Sequence, residues 1–127
     1  MPKKILSIDD SRMVHMVISK TLKPFDVEVL TAVNGQEGIE KADQAKPDLI
    51  ILDATMPVMN GIECLEALKQ KDGTKGIPVV MLSADSGKDN IDRATQLGAL
   101  QFISKPFTGD ALLDTLKKYI ELPAKAA

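Results

Sequence analysis

Tryptophan is absent, tyrosine occurs once and phenylalanine three times, so aromatic residues make up only 3% of the 127-residue chain. A site that stacks a planar cofactor needs rings to stack on, and few are available. Cysteine occurs once, at Cys64, which excludes an internal disulfide and points to a reducing compartment. Cys64 falls beside Ile62 and Leu65 in a helical pattern, so it reads as a small packed residue rather than a nucleophile. No apolar stretch approaches the ~18 residues of a membrane span, and no basic-then-apolar leader opens the chain, so the cytoplasm is the expected location. An excess of one charge is missing too. Sixteen Lys and Arg oppose eighteen Asp and Glu for a net −2, and the scattered basic residues give no footprint for nucleic acid or an anionic membrane. Repeats, low-complexity tracts and interdomain linkers are also lacking.

What remains is 44% apolar and 27% charged, ordinary for a globular protein. One domain is expected over residues 1–127, with an ordered core from about residue 3 to about residue 121 and a tail, ELPAKAA, free to fray. Five short apolar runs predict strands over Lys4–Ile8, Val27–Ala32, Asp48–Leu52, Pro78–Leu82 and Leu100–Ile103. Between them lie stripes at helical spacing. These are Val14, Val17, Ile18 and Leu22; Gly38, Ile39 and Ala42; Ile62, Leu65 and Leu68; Ile91, Ala94 and Leu97, with Gly98 as a stop; and Leu112, Leu113, Leu116 and Ile120. Five alternations of strand and helix predict an α/β fold, one parallel sheet covered on both faces, because parallel neighbours need right-handed crossovers. For a chain of this length the flavodoxin-like order 2-1-3-4-5, a three-layer α/β/α sandwich, is the leading topology.

A parallel sheet delivers every strand's carboxyl end to one edge. Asp9 and Asp10 follow the first strand, Asp53 the third, Ser83 the fourth and Lys105 the fifth, while Asp48 starts its strand and belongs to the opposite edge. Two carboxylates about 5 Å apart repel by roughly 3 kcal/mol at an effective dielectric near 20, and the one charge of Lys105 cannot balance three. A hard divalent cation can, and all-oxygen ligation suits Mg²⁺. One of Asp9 and Asp10 can then ligate directly while the other orients a bound water. A carboxylate beside Mg²⁺ and a lysine is placed to attack a phosphoryl group, and Asp53, alone across the crevice from the doublet, is the expected nucleophile. The hydroxyl of Ser83 can donate to a phosphoryl oxygen. His15, a lone histidine on a helix, is read as a surface residue without a role.

With the doublet Asp9-Asp10, the stretch DATMPVMNG from Asp53 to Gly61, Ser83-Ala84 and the KPF of Lys105 to Phe107 in place, the chain resembles the receiver domains of two-component response regulators over essentially its whole length. The resemblance implies that Asp53 accepts a phosphoryl group from a kinase phosphohistidine. It makes Asp10, Asp53 and the backbone carbonyl of Thr55 direct Mg²⁺ ligands, with Asp9 acting through water and Lys105 contacting the phosphoryl group. Ser83 and Phe102 match the family's switch pair, Thr55 and Asp85 the positions linked to dephosphorylation rate, and a cis bond is implied between Lys105 and Pro106. The partners implied are a histidine kinase or phosphotransfer protein upstream and a target protein on the face of the fourth helix, fifth strand and fifth helix.

The expected protein is therefore a phosphoacceptor of the chemotaxis-regulator type, a monomer or a weak phosphorylation-dependent dimer, and no enzyme beyond its own phosphorylation and dephosphorylation. The start at Met1 and the short tail favour a stand-alone protein over a receiver fragment of a larger regulator or a phosphorelay intermediate. A small flavodoxin-like cofactor binder would use the same crevice, but it wants a glycine- and hydroxyl-rich phosphate loop where this chain has an acidic doublet. A Mg²⁺-dependent phosphatase would need a substrate pocket that so short a chain does not suggest.

Overall fold

The computed structural model describes residues 3–54, 61–83, 88–105 and 107–123. Strands and helices alternate as β1 (Lys3–Ile8), α1 (Arg12–Leu22), β2 (Val27–Ala32), α2 (Gly35–Ala45), β3 (Leu49–Asp53), α3 (Gly61–Gln70), β4 (Val79–Ser83), α4 (Lys88–Gln96), β5 (Gln101–Ser104) and α5 (Gly109–Lys117). The strands form one parallel sheet in the order β2-β1-β3-β4-β5, the expected topology. Every residue of β3 (LIILD) and β4 (VVMLS) is buried, because both strands lie inside the sheet with helices above and below. The edge strands β2 and β5 are buried only in part.

Side chains that alternate along each strand feed two separate cores. Leu6, Ile8, Ile50, Leu52, Val79 and Met81 pack with Ala42 of α2, Leu65 and Leu68 of α3 and Ala94 of α4. Ile5, Leu49, Ile51, Val80, Leu82 and Ile103 pack with Ile18 and Leu22 of α1 and Leu112 and Leu116 of α5. Three helices begin on capping side chains: Ser11, Asn34 and Thr108 accept hydrogen bonds from the backbone N–H groups of Val14, Glu37 and Ala111. Gly98, at φ +104°, lies just past the end of α4 in a conformation open to glycine.

Three strands start and end one residue later than the apolar runs predict. Asp48 does not extend β3. Its N–H donates to the Lys4 carbonyl at 2.7 Å and its Oδ2 accepts the Lys4 N–H at 2.8 Å, so the residue caps the ladder. Pro78 has no N–H to give to β4. At the other end, Asp53, Ser83 and Ser104 are the last residues of their strands, because the ladder still holds their backbones. At the other end of the first run, β1 begins at Lys3, one residue early. Leu97 and Ile120 lie beyond α4 and α5 yet pack against the two cores. Pro123, in the tail, accepts the Asp26 N–H on its carbonyl at 2.7 Å. Among the described residues no helix is long and apolar enough to cross a membrane.

Leu52, fully buried in the core beneath α2, α3 and α4, measures what that layer contributes. Leu52→Ala should lower unfolding stability by about 2–5 kcal/mol, read as a lower urea midpoint at unchanged slope. Leu100→Ala, at a side chain 46% exposed, should stay within about 0.5 kcal/mol of the parent.

Candidate functional site

The alternation that builds the two cores also aims the charged residues. Asp9 continues the Ile5 and Ser7 side of β1, Asp53 the Leu49 and Ile51 side of β3, and Lys105 the Ile103 side of β5. All three therefore reach the carboxyl edge on the face covered by α1 and α5. Carboxylate oxygens of Asp9, Asp10 and Asp53 lie within 4.8 Å of one another. Asp9 and Asp53 are almost fully buried, at 1% and 3% exposure, and Asp10 is exposed.

Lys105 is the cation of the cluster. Its Nζ donates to Oδ2 of Asp9 at 2.9 Å and to Oδ1 of Asp53 at 3.1 Å, and its backbone N–H donates to the Ser83 carbonyl at 2.7 Å. Burial pulls the ammonium pKa down, but the hydrogen bonds and charges of Asp9 and then Asp53 outweigh it and leave the pKa above its ordinary 10.5. Asp10, among the described residues, has no ion-pair partner. One positive charge thus answers two of three carboxylates. The donor set is all oxygen, hard and anionic, which suits a hard divalent cation and not a soft one.

Other expected site residues take their places nearby. Ser83, 1% exposed, ends β4 two residues beyond Met81, which pairs with Phe102 of β5. By strand alternation Ser83 and Phe102 share the sheet face beneath α2, α3 and α4, and Phe102 is half-buried against that core. Gly61 brings α3 up against the end of β3. Its N–H donates to the Ala54 carbonyl at 2.9 Å, and a Cβ there would stand 2.1 Å from the Asp53 carbonyl oxygen, so only glycine fits. The carbonyl of Thr55, Ala84, Asp85 and the bond between Lys105 and Pro106 lie outside the described residues. Cys64 is buried, donates its thiol to the Gly35 carbonyl and has its pKa pushed up to about 12 by burial, as a packed residue should.

His15 corrects the sequence reading, which put it on the surface. The ring is half-buried, with Nδ1 at 2.9 Å from the Ser7 hydroxyl and Nε2 at 2.7 Å from the Asp9 carbonyl oxygen. The signal was present in the spacing. His15, Ile18 and Leu22 recur at i, i+3 and i+7, and the last two are fully buried, so the histidine begins the core stripe of α1. Ser7, a hydroxyl in the apolar run KILSI, needed a buried partner.

The response regulator receiver domain family matches this chain over residues 5–117. The chemotaxis protein CheY of Listeria monocytogenes is 39% identical over 116 residues, covering 91% of this chain and 96% of that protein. Sporulation initiation phosphotransferase F of Bacillus subtilis is 33% identical over 122 residues, 96% of this chain and 97% of its own length. Among solved structures, a chemotaxis protein of Vibrio cholerae superposes with a TM-score of 0.88 at 34% identity, over 94% of this chain and all of the other.

Lys105 offers a direct measure of the cluster's electrostatics. Because its folded pKa is raised, its stabilisation is complete below the unfolded value of 10.5 and is lost as pH rises through the higher folded value. In chelator-treated protein near neutral pH, Lys105→Met should lower unfolding stability by about 3 kcal/mol, since two buried carboxylates lose their counter-charge. The gap between parent and variant should narrow once the pH exceeds 10.5, as followed by urea denaturation.

Proposed function

The chain belongs to the response regulator receiver domain family, and from that premise we propose that Asp53 is its phosphoacceptor and that phosphorylation reshapes a protein-binding face made by α4, β5 and α5. The observation that carries this reading is the bridge of Lys105 between Asp9 and Asp53 inside a three-carboxylate cluster. A carboxylate oxygen of Asp53 attacks the phosphorus of a phosphohistidine on a histidine kinase or phosphotransfer protein. The phosphorus–nitrogen bond breaks, and the departing imidazole keeps the electron pair. Asp53 suits the role because its backbone is fixed at the end of β3 and its side chain is held on a cation.

Asp10 and Asp53, with the carbonyl of Thr55, are the proposed direct ligands of Mg²⁺, and Asp9 acts through a bound water. When bound, the ion supplies charge neutralisation for the phosphoryl oxygens. Lys105 holds those oxygens from the other side, giving up part of its present bonding to the two aspartates. Ser83 donates its hydroxyl to a phosphoryl oxygen, and the space it leaves is open to the Phe102 ring from the same sheet face. The differential contact of the phosphoryl group with Ser83 is what biases the two arrangements. Asp85 is assigned to the control of dephosphorylation. Catalysis is confined to the protein's own phosphorylation and dephosphorylation.

Incubating the protein with a small phosphodonor and Mg²⁺ should add the mass of a single phosphoryl group, and chelation should prevent it. Asp53→Asn should remove the gain; labelling that persists in this variant would place the acceptor elsewhere. Ser83→Ala should keep the acceptor and lower the rate by roughly tenfold or more, the usual cost of a lost transition-state hydrogen bond.

A further inference from the structure

The Asp9-Asp10 pair is held at more points than its ladder requires. The Asp9 N–H donates to the Ala32 carbonyl at 3.0 Å, Oδ1 accepts the Ser11 N–H at 2.9 Å, and Oδ2 accepts from Lys105. The fourth polar atom, the carbonyl oxygen, faces Nε2 of His15 at 2.7 Å. That carbonyl lies in the same rigid peptide plane as the N–H of Asp10. Turning the plane would swing the Asp10 side chain relative to Asp9, and two adjacent carboxylates gain by separating. Nothing in the β1 ladder prevents such a turn, because the strand ends at Ile8.

We infer that His15 is a positioning residue for the acidic doublet: its Nε2–H pins the peptide plane between Asp9 and Asp10, keeping both carboxylates converged on the divalent-cation site. The inference rests on the proposed function for the site's use, but its geometry stands without it. A carbonyl can only accept, so Nε2 must carry the proton. Nδ1 is hydrogen-bonded to the Ser7 hydroxyl, which is fully buried on β1 and fixes the ring from behind. α1 anchors the imidazole in turn, through Ile18 and Leu22 on the same stripe. This arrangement has the form of the outer-shell contacts that orient metal ligands, acting here through a backbone carbonyl instead of a side chain.

The chain has a single histidine, so its ring nitrogens can be read without ambiguity by long-range proton–nitrogen NMR in ion-free protein. A proton on Nε2 is expected; a ring protonated only at Nδ1 would overturn the inference. Calorimetric titration with Mg²⁺ tests the consequence. His15→Phe keeps the ring and loses both hydrogen bonds, and should weaken Mg²⁺ binding by roughly tenfold. His15→Gln carries an amide N–H at the reach of Nε2 and should recover most of the loss. Phosphoryl uptake by the Phe variant should match the parent at saturating Mg²⁺ and fall behind below saturation. Parent-like Mg²⁺ affinity in the folded Phe variant, or a Gln variant no better than Phe, would refute the role of His15 alone. A parent protein that takes up no Mg²⁺ would instead refute the proposed function, and with it the use of the pinned doublet. Melting temperatures without ion separate a general loss of stability from this effect, and if the Phe variant fails to fold, the Gln variant and the ring protonation still decide.

Discussion

Repulsion among the carboxylates of Asp9, Asp10 and Asp53 is the constraint on which the rest of the site depends. With oxygens within 4.8 Å of one another, each ionised pair opposes folding by about 3 kcal/mol at an effective dielectric near 20. The three together reach about 10 kcal/mol, comparable with the whole stability of a small domain. Such a cluster persists only where the backbone leaves the side chains no retreat. Here β1 and β3 are adjacent in the sheet and buried, and the phase of the strands sends Asp9 and Asp53 to one side. Lys105 reduces the repulsion and does not cancel it. Three carboxylates around one ammonium make a cluster whose donor set suits a hard dication.

The same alternation that gathers the charges separates them from the proposed switch pair. Asp53, Asp9 and Lys105 arrive on the face of α1 and α5, whereas Ser83 and Phe102 belong to the face of α2, α3 and α4. Under the proposed function, a change at Asp53 that is to reach this pair has to cross the sheet, and the edge is where the strands leave room for it. Ser83 ends β4, so its hydroxyl can turn toward the crevice without breaking the ladder behind it. Farther down the strand a side chain is locked among packed neighbours, and no comparable motion is available. The placement of both the proposed acceptor and the hydroxyl at the last residue of their strands is what would make a local chemical event transmissible.

Much of this was legible before any coordinates. Strand count, sheet order and the meeting of Asp9, Asp10, Asp53, Ser83 and Lys105 at one edge follow from alternation and from the geometry of parallel sheets. The strand ends were harder, because apolarity marks burial and not hydrogen bonding. Asp48 and Pro78 look like strand starts by position, yet one closes the ladder with its side chain and the other has no N–H to give. His15 was missed for a different reason. A lone histidine on a helix shows no partner in the sequence around it, and only its spacing to Ile18 and Leu22 together with the buried hydroxyl of Ser7 places it inward. Contacts between a helix side chain and a backbone carbonyl leave no motif, since any residue type supplies the carbonyl.

The choice of imidazole at position 15 also has a physical basis. The site behind the doublet needs a donor for the Asp9 carbonyl and a partner for the Ser7 hydroxyl, on a single rigid body. Histidine offers both from the two nitrogens of one ring. Lysine or arginine would donate to the carbonyl but bring a permanent charge beside the carboxylates, where it would compete with a dication for the same field. Glutamine has the donor but rests on a flexible stem, so it gives up more rotamer freedom in making the contact. A ring that holds the peptide from behind leaves Lys105 as the side chain bonded to the carboxylates themselves. Orientation of the doublet and its charge are thereby set by different residues.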